Sequence, residues 1–138
     1  MDERIPPTVG ILVCLVVVAV VVAPFLVLPP SESAGLSTYY ASGIAGGYGV
    51  GLLSLVALVA FAGGRQRRTE PDTVAGATLV VGVGMVVLAL QWALAVDAEV
   101  LQSITTAAWM ADHRWVLVGL SALVPVASGW YARAVGVV

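Results

Sequence analysis

The sequence is poor in charge and lacks several residue types. Charged residues make up only 10% of its 138 residues, lysine and asparagine are absent, and there is one histidine and one cysteine. A soluble domain of this size carries about a quarter charged residues, so this composition argues against one. The net charge of −2 argues against nucleic-acid binding, which needs a basic stripe. The single cysteine, Cys14, excludes an intramolecular disulfide.

Long apolar runs take the place of charge, because 60% of the residues are hydrophobic. A helix of about 20 apolar residues crosses the hydrocarbon core of a bilayer, and lipid forces the backbone to satisfy its own hydrogen bonds. The sequence therefore predicts an all-α protein, an integral membrane four-helix bundle that forms one transmembrane domain over residues 1–138. The predicted spans are approximately 9–29, 41–62, 74–96 and 115–133.

The segment between the second and third runs, Gly63–Thr73, predicts the topology. It contains Arg65, Arg67 and Arg68, and arginines in short loops favour the cytoplasmic side of a membrane. Arg133, after the fourth run, then lies on the same side. We expect an antiparallel bundle in the plasma membrane with both termini cytoplasmic, and these four arginines can also contact lipid headgroups.

Two prolines interrupt predicted spans. Pro24 has no N–H, so it should leave the carbonyl of Val20 unpaired and bend the first helix. Pro125 should do the same to the carbonyl of Ser121 in the fourth. We expect the first segment to be retained rather than cleaved as a signal peptide, because no A-x-A-like site follows it.

Three glycines in the second run, Gly43, Gly47 and Gly51, are spaced four residues apart. This spacing places them on one ridge of a helix, where another backbone can approach closely. An antiparallel third helix would bring Gly84 to the depth of Gly51. We therefore expect the ridge to pack against another helix, which is the third helix if the contact lies inside this chain, or a helix of a partner. The alternative is that glycine is simply common in membrane helices.

The connection from Asp97 to Arg114 is the longest polar segment, and its apolar periodicity predicts a short interfacial helix. It ends with His113 between Asp112 and Arg114. A metal or general-base site needs two or three converging ligands, so a lone histidine between charges is expected to be a solvated loop residue. We expect no catalytic, cofactor-binding or metal-binding residue, and Met85 is interpreted as a core residue.

Three stretches carry a resemblance to known proteins. They are GRQRRTEPD leading into a Gly- and Ala-rich span, QWAL near the end of that span, and RW with WYAR around the last one. In these features the chain resembles small four-span membrane proteins of unknown function from halophilic archaea. The resemblance implies a source but no activity, cofactor or site.

The predicted function follows from what the spans contain. No Asp, Glu or His lies within a predicted span, and Arg133 is only the last residue of the fourth span, which removes the usual means of coupling transport to ions. We therefore expect a non-catalytic protein, a structural or accessory subunit of a larger membrane assembly. The alternative is a homo-oligomeric carrier or pore for a small neutral solute. The expected partners are the lipid bilayer and either other membrane subunits or further copies of the chain.

Overall fold

The computed structural model describes residues 4–28, 30, 40, 46–96 and 109–136, without the side chains of residues 46, 47, 110 and 111. The described part of the chain is all-helical, as predicted. It contains four α-helices, each long and apolar enough to cross a membrane. These are α1 (Ile5–Val27), α2 (Gly46–Arg65), α3 (Pro71–Ala95) and α4 (Met110–Ala134).

Prolines and a left-handed residue set several helix ends. Pro6 and Pro7 lie in the first turn of α1, and Pro71 begins α3, positions where a missing N–H costs nothing. At the end of α2, Arg67 has a φ of 57°. This conformation turns the chain back, so that the N–H groups of Arg67 and Arg68 bond to the last carbonyls of the helix.

The four helices enclose one interior. Helix α1 packs against α2 and α4, and α3 packs against the same two helices. Each helix therefore has two neighbours, and α4 closes the arrangement onto α1. The largest side chains that are fully buried come from all four helices and from Tyr40; they are Trp92, Tyr40, Tyr131, Phe61, Met85, Leu117, Val17, Val50 and Val124.

The start of α4 differs from the sequence prediction. The helix begins at Met110, so Asp112, His113 and Arg114 belong to its first two turns and not to a loop. The predicted interfacial helix falls mainly on residues 97–108, which lie outside the described residues. Both internal prolines, Pro24 and Pro125, lie within helices that continue past them.

Candidate functional site

His113 lies inside the bundle. Its side chain is only 5% exposed, and its Nε2 atom is 2.7 Å from the carbonyl oxygen of Val20 in α1. That carbonyl lies four residues before Pro24, which has no N–H to donate to it. A carbonyl only accepts, so Nε2 carries the proton and donates it. His113 thus supplies the hydrogen bond that Pro24 removes from α1.

Tyr40 reaches the next carbonyl of the same helix. Its hydroxyl donates to the carbonyl oxygen of Val21, and the whole side chain is buried. The Tyr40 ring stacks between Phe25, at 5.6 Å between ring centroids, and Trp92, at 5.7 Å. Tyr48 of α2 lies 5.0 Å from it. Tyr40 therefore connects α1, α2 and α3 at one end of the bundle.

Three aromatic rings surround His113 at that end. Tyr40, Trp92 and Trp109 have centroids 6.2, 6.4 and 6.1 Å from the imidazole, all edge-on. We call this end of the bundle, defined by Tyr40, Trp92, Trp109 and His113, the histidine end. The prediction that His113 is a solvated loop residue is wrong, because the residue faces inward from a helix. The unpaired Val20 carbonyl was the signal that a buried donor had to exist.

Hydroxyl groups in the middle of the bundle bond to the helices that carry or face them. The Ser128 hydroxyl donates to the Thr78 hydroxyl of α3 at 3.0 Å and lies 2.9 Å from the carbonyl oxygen of Val124 in its own helix. Thr78 in turn lies 2.8 Å from the carbonyl of Val74. These contacts tie α3 to α4 without any charged group.

Two further buried polar groups fall in the same interior. Ser54 of α2 donates to the carbonyl oxygen of Cys14 in α1, at 2.9 Å. The hydroxyl of Ser121 is completely buried and has no hydrogen-bond partner among the described residues. No group of three His, Cys, Asp or Glu residues that could hold a metal ion occurs in the part of the chain that the structure describes.

Arg114 follows His113 but faces another way. Its side chain is half-buried, and its guanidinium carbon lies 5.9 Å from the centre of the Trp115 ring. The Nε and Nη1 atoms are buried and have no hydrogen-bond partner among the described residues. Arg114 is thus a half-buried cation near the histidine end, and two of its three guanidinium nitrogens are buried without an acceptor among the described residues.

The opposite end of the bundle carries the other described arginines. A shallow cleft there is lined by Arg4, Gly64, Arg65, Arg67, Pro71 and Tyr131, and we call this the arginine end. The Nε atom of Arg65 donates to the hydroxyl of Thr8 at 2.8 Å, which ties α2 to the start of α1. The four arginines predicted to set topology, Arg65, Arg67, Arg68 and Arg133, are all exposed.

The predicted glycine ridge is described only in part. Gly43 lies outside the described residues, and of Gly47 only the backbone is described. A Cβ added at Gly51 would lie 3.6 Å from Val21 of α1, so Gly51 faces α1 and not α3 as we predicted. A Cβ at Gly84 would come no closer than 3.9 Å to Leu53 of α2. Both distances are ordinary van der Waals contacts.

The tightest glycine contacts lie elsewhere. An added Cβ would be 2.6 Å from the Phe61 ring at Gly10, 2.8 Å from the Tyr131 hydroxyl at Gly64 and 2.8 Å from the backbone nitrogen of Pro125 at Gly82. None of these glycines belongs to a run with four-residue spacing, so that spacing could not predict their close contacts.

A groove of about 390 Å³ runs between α1 and α2 on the outside of the bundle. Gly51 contributes to it, and the remaining lining is formed by apolar side chains and Tyr48. The lining residues are Val18, Val21, Val22, Tyr48, Gly51, Leu52 and Leu55. Leu52 is 65% exposed at the rim of this groove.

These features define a helical protein with four helices capable of crossing a membrane and an interior that holds hydroxyls, one histidine and one thiol. The chain belongs to the Family of unknown function (DUF7548), whose model matches residues 1–136. Neither the curated proteins nor the solved structures contain a match to it.

Proposed function

We propose that this chain is a multi-pass plasma-membrane protein that acts as a structural or accessory subunit of a larger membrane assembly. Its four helices are long and apolar enough to span a bilayer. Large apolar side chains are also exposed on every helix, for example Leu12, Leu52, Val80 and Val126. Such surfaces are stable against lipid or other helices but not in water.

The contacts support an antiparallel bundle. Along α1, Gly10 lies against Phe61, Cys14 accepts from Ser54, and Val21 lies against Gly51. Residue numbers thus rise along α1 as they fall along α2. The contact of His113 with Val20, near the start of α4 and the end of α1, has the same sense.

Charge supports an orientation with both termini in the cytoplasm. Arg4, Arg65 and Arg67 line one cleft, and Arg68 follows them in the same turn. Arg133 lies in the last turn of α4, two residues after Tyr131 of that cleft. Arginine-rich ends of membrane bundles favour the cytoplasm.

The origin in halophilic archaea that the resemblance implies stays a prediction.

The groove between α1 and α2 is the observation that carries the subunit role. It opens to the surface that would face lipid, it is apolar, and Gly51 keeps part of its floor free of side chain. Helix association in membranes depends on this kind of close packing, because lipid supplies no hydrophobic drive between helices. A transmembrane helix of another subunit could place its side chains in such a groove.

The experiment is to fill the groove with a larger side chain and to measure which associated proteins no longer co-purify with the chain. Leu52→Trp adds bulk at the rim, and Leu94→Trp is a matched control, because Leu94 is 69% exposed on α3 and does not line the groove. Each variant is expressed at native level, solubilised gently and analysed by mass spectrometry for associated proteins. We expect unrelated membrane subunits to co-purify with the wild type and with Leu94→Trp, and to be lost with Leu52→Trp.

The alternative, a homo-oligomeric carrier or pore for a small neutral solute, is tested by the same preparation. A homo-oligomer without other subunits that makes liposomes permeable to solute would contradict the accessory role. Equal recovery of partner subunits with Leu52→Trp would show that the groove is not where they bind.

A further inference from the structure

The unsatisfied guanidinium of Arg114 points to a binding site that the subunit role does not require. Arginine carries five N–H donors and keeps its charge at any physiological pH. In this chain two of its nitrogen atoms are buried without a hydrogen-bond acceptor among the described residues. A half-buried cation in this state is unstable unless an anion or other acceptor reaches it.

The described carboxylates do not meet this need. Asp112 is two residues away on the same helix, and residues at that spacing point in different directions. Glu70 and Asp72 lie at the start of α3, next to Pro71 of the arginine end. Arg114 belongs to the other end of the bundle, beside His113. No carboxylate in the described part of the chain therefore serves as the acceptor for Arg114.

The depth of Arg114 matches that of lipid phosphates. Helix α4 has 25 residues, which at about 1.5 Å per residue is longer than a hydrocarbon core of about 30 Å. Its first turns therefore reach the headgroup region. Trp109 and Trp115 flank Arg114 there, both at least 40% exposed, and tryptophan prefers that level of the bilayer.

We propose that Arg114, next to the Trp115 ring, binds the phosphate group of a membrane lipid in the leaflet at the histidine end. The Trp115 ring lies beside the guanidinium, and the phosphate oxygens accept from Nη2, the guanidinium nitrogen that is not among these buried atoms, and compensate the charge of the whole group. The proposal rests on the membrane location proposed above but not on the subunit role. It assigns a lipid-binding role to the one arginine that lies apart from the arginine end.

The test is a lipid titration of the purified full-length chain in neutral detergent, followed by native mass spectrometry. The probes are phosphatidylglycerol, phosphatidylcholine and inorganic phosphate. Arg114→Gln removes the charge and most donors; Arg68→Gln is the control, because Arg68 is exposed at the arginine end. We expect Arg114→Gln to weaken phosphatidylglycerol binding about tenfold, the effect of one lost charged hydrogen bond.

The outcomes separate the sources of phosphate. We expect Arg68→Gln to weaken phosphatidylglycerol binding much less than Arg114→Gln does, because Arg68 is exposed and a single exposed charge contact contributes little. We also expect millimolar inorganic phosphate not to displace the lipid. Displacement would overturn the lipid assignment in favour of a free anion, and equal binding by Arg114→Gln would overturn the site itself. If Arg114→Gln fails to fold, Arg114→Lys, which lacks the planar fork, must also bind more weakly; unchanged binding would refute the proposal. Leu52→Trp should leave lipid binding unaffected, which keeps this result independent of the subunit role.

Discussion

The hydrogen bond from His113 to the Val20 carbonyl should contribute more to the free energy of unfolding when residue 24 is proline than when it is alanine. His113→Leu removes the donor and leaves a buried carbonyl for which α1 has no N–H of its own. An unsatisfied buried acceptor costs about 1–3 kcal/mol. Pro24→Ala restores an N–H four residues after Val20, so the same His113→Leu change should cost less in that background.

The structure also supplies an internal control. Tyr40→Phe removes a donor from the carbonyl of Val21, but Phe25 has an N–H in the same helix that can serve it. We therefore expect Tyr40→Phe to cost less than His113→Leu, roughly 0.5 kcal/mol, near the average of about 0.6 kcal/mol for side-chain hydrogen bonds in membrane helices. The rings around Tyr40 are unchanged by this substitution.

The assay is a double-mutant cycle. Unfolding of the wild type, His113→Leu, Pro24→Ala and the double variant is followed by circular dichroism in mixed micelles with increasing dodecyl sulfate. The expected coupling between the two positions is about 1–2 kcal/mol. If His113→Leu destabilised the protein equally with Pro24 and with Ala at position 24, the hydrogen bond would not be what holds His113, and ring packing alone would explain its burial.

Two further predictions concern packing and orientation. Gly82→Ala should destabilise the bundle by roughly 1–3 kcal/mol, because the added Cβ would lie 2.8 Å from the backbone nitrogen of Pro125. Gly76→Ala is the control and should not destabilise it, because nothing lies within 4 Å of a Cβ at that position. Equal unfolding curves for the two variants would contradict this prediction. A cysteine placed at the exposed Gln66, in a Cys14→Ser background, should resist an impermeant thiol reagent added to intact cells. Efficient labelling would reverse the proposed orientation.

The four helices were predictable because their signal is local. Apolar runs of sufficient length, separated by polar segments such as the arginine-rich turn, form helices because the backbone must satisfy its own hydrogen bonds in lipid. The central parts of the helices could therefore be predicted from the sequence. The start of α4 could not be predicted in this way, because the charges on both sides of His113 resemble those of an exposed loop. Only the packing against α1 shows which side of these residues faces inward.

The contacts between helices were less predictable, because they depend on where two helices cross. Four-residue spacing identified Gly51 but not its neighbour, which is Val21 of α1. Gly82 lies against Pro125 because the two helices approach there, and no spacing rule within α3 carries that information. The unpaired carbonyl of Val20 was predicted correctly from Pro24, yet its donor comes from a residue 93 positions away.

The separation of 93 residues between Val20 and His113 matters while the protein is being synthesised. Among the four described helices, α1 is synthesised before α4, which carries the donor for the Val20 carbonyl. Until α4 packs against α1, the Val20 carbonyl has no hydrogen-bond donor from His113, and Pro24 cannot supply one. A chain that lacks α4 therefore has an unsatisfied carbonyl in α1, and we expect truncation before α4 to destabilise the packing of the remaining helices.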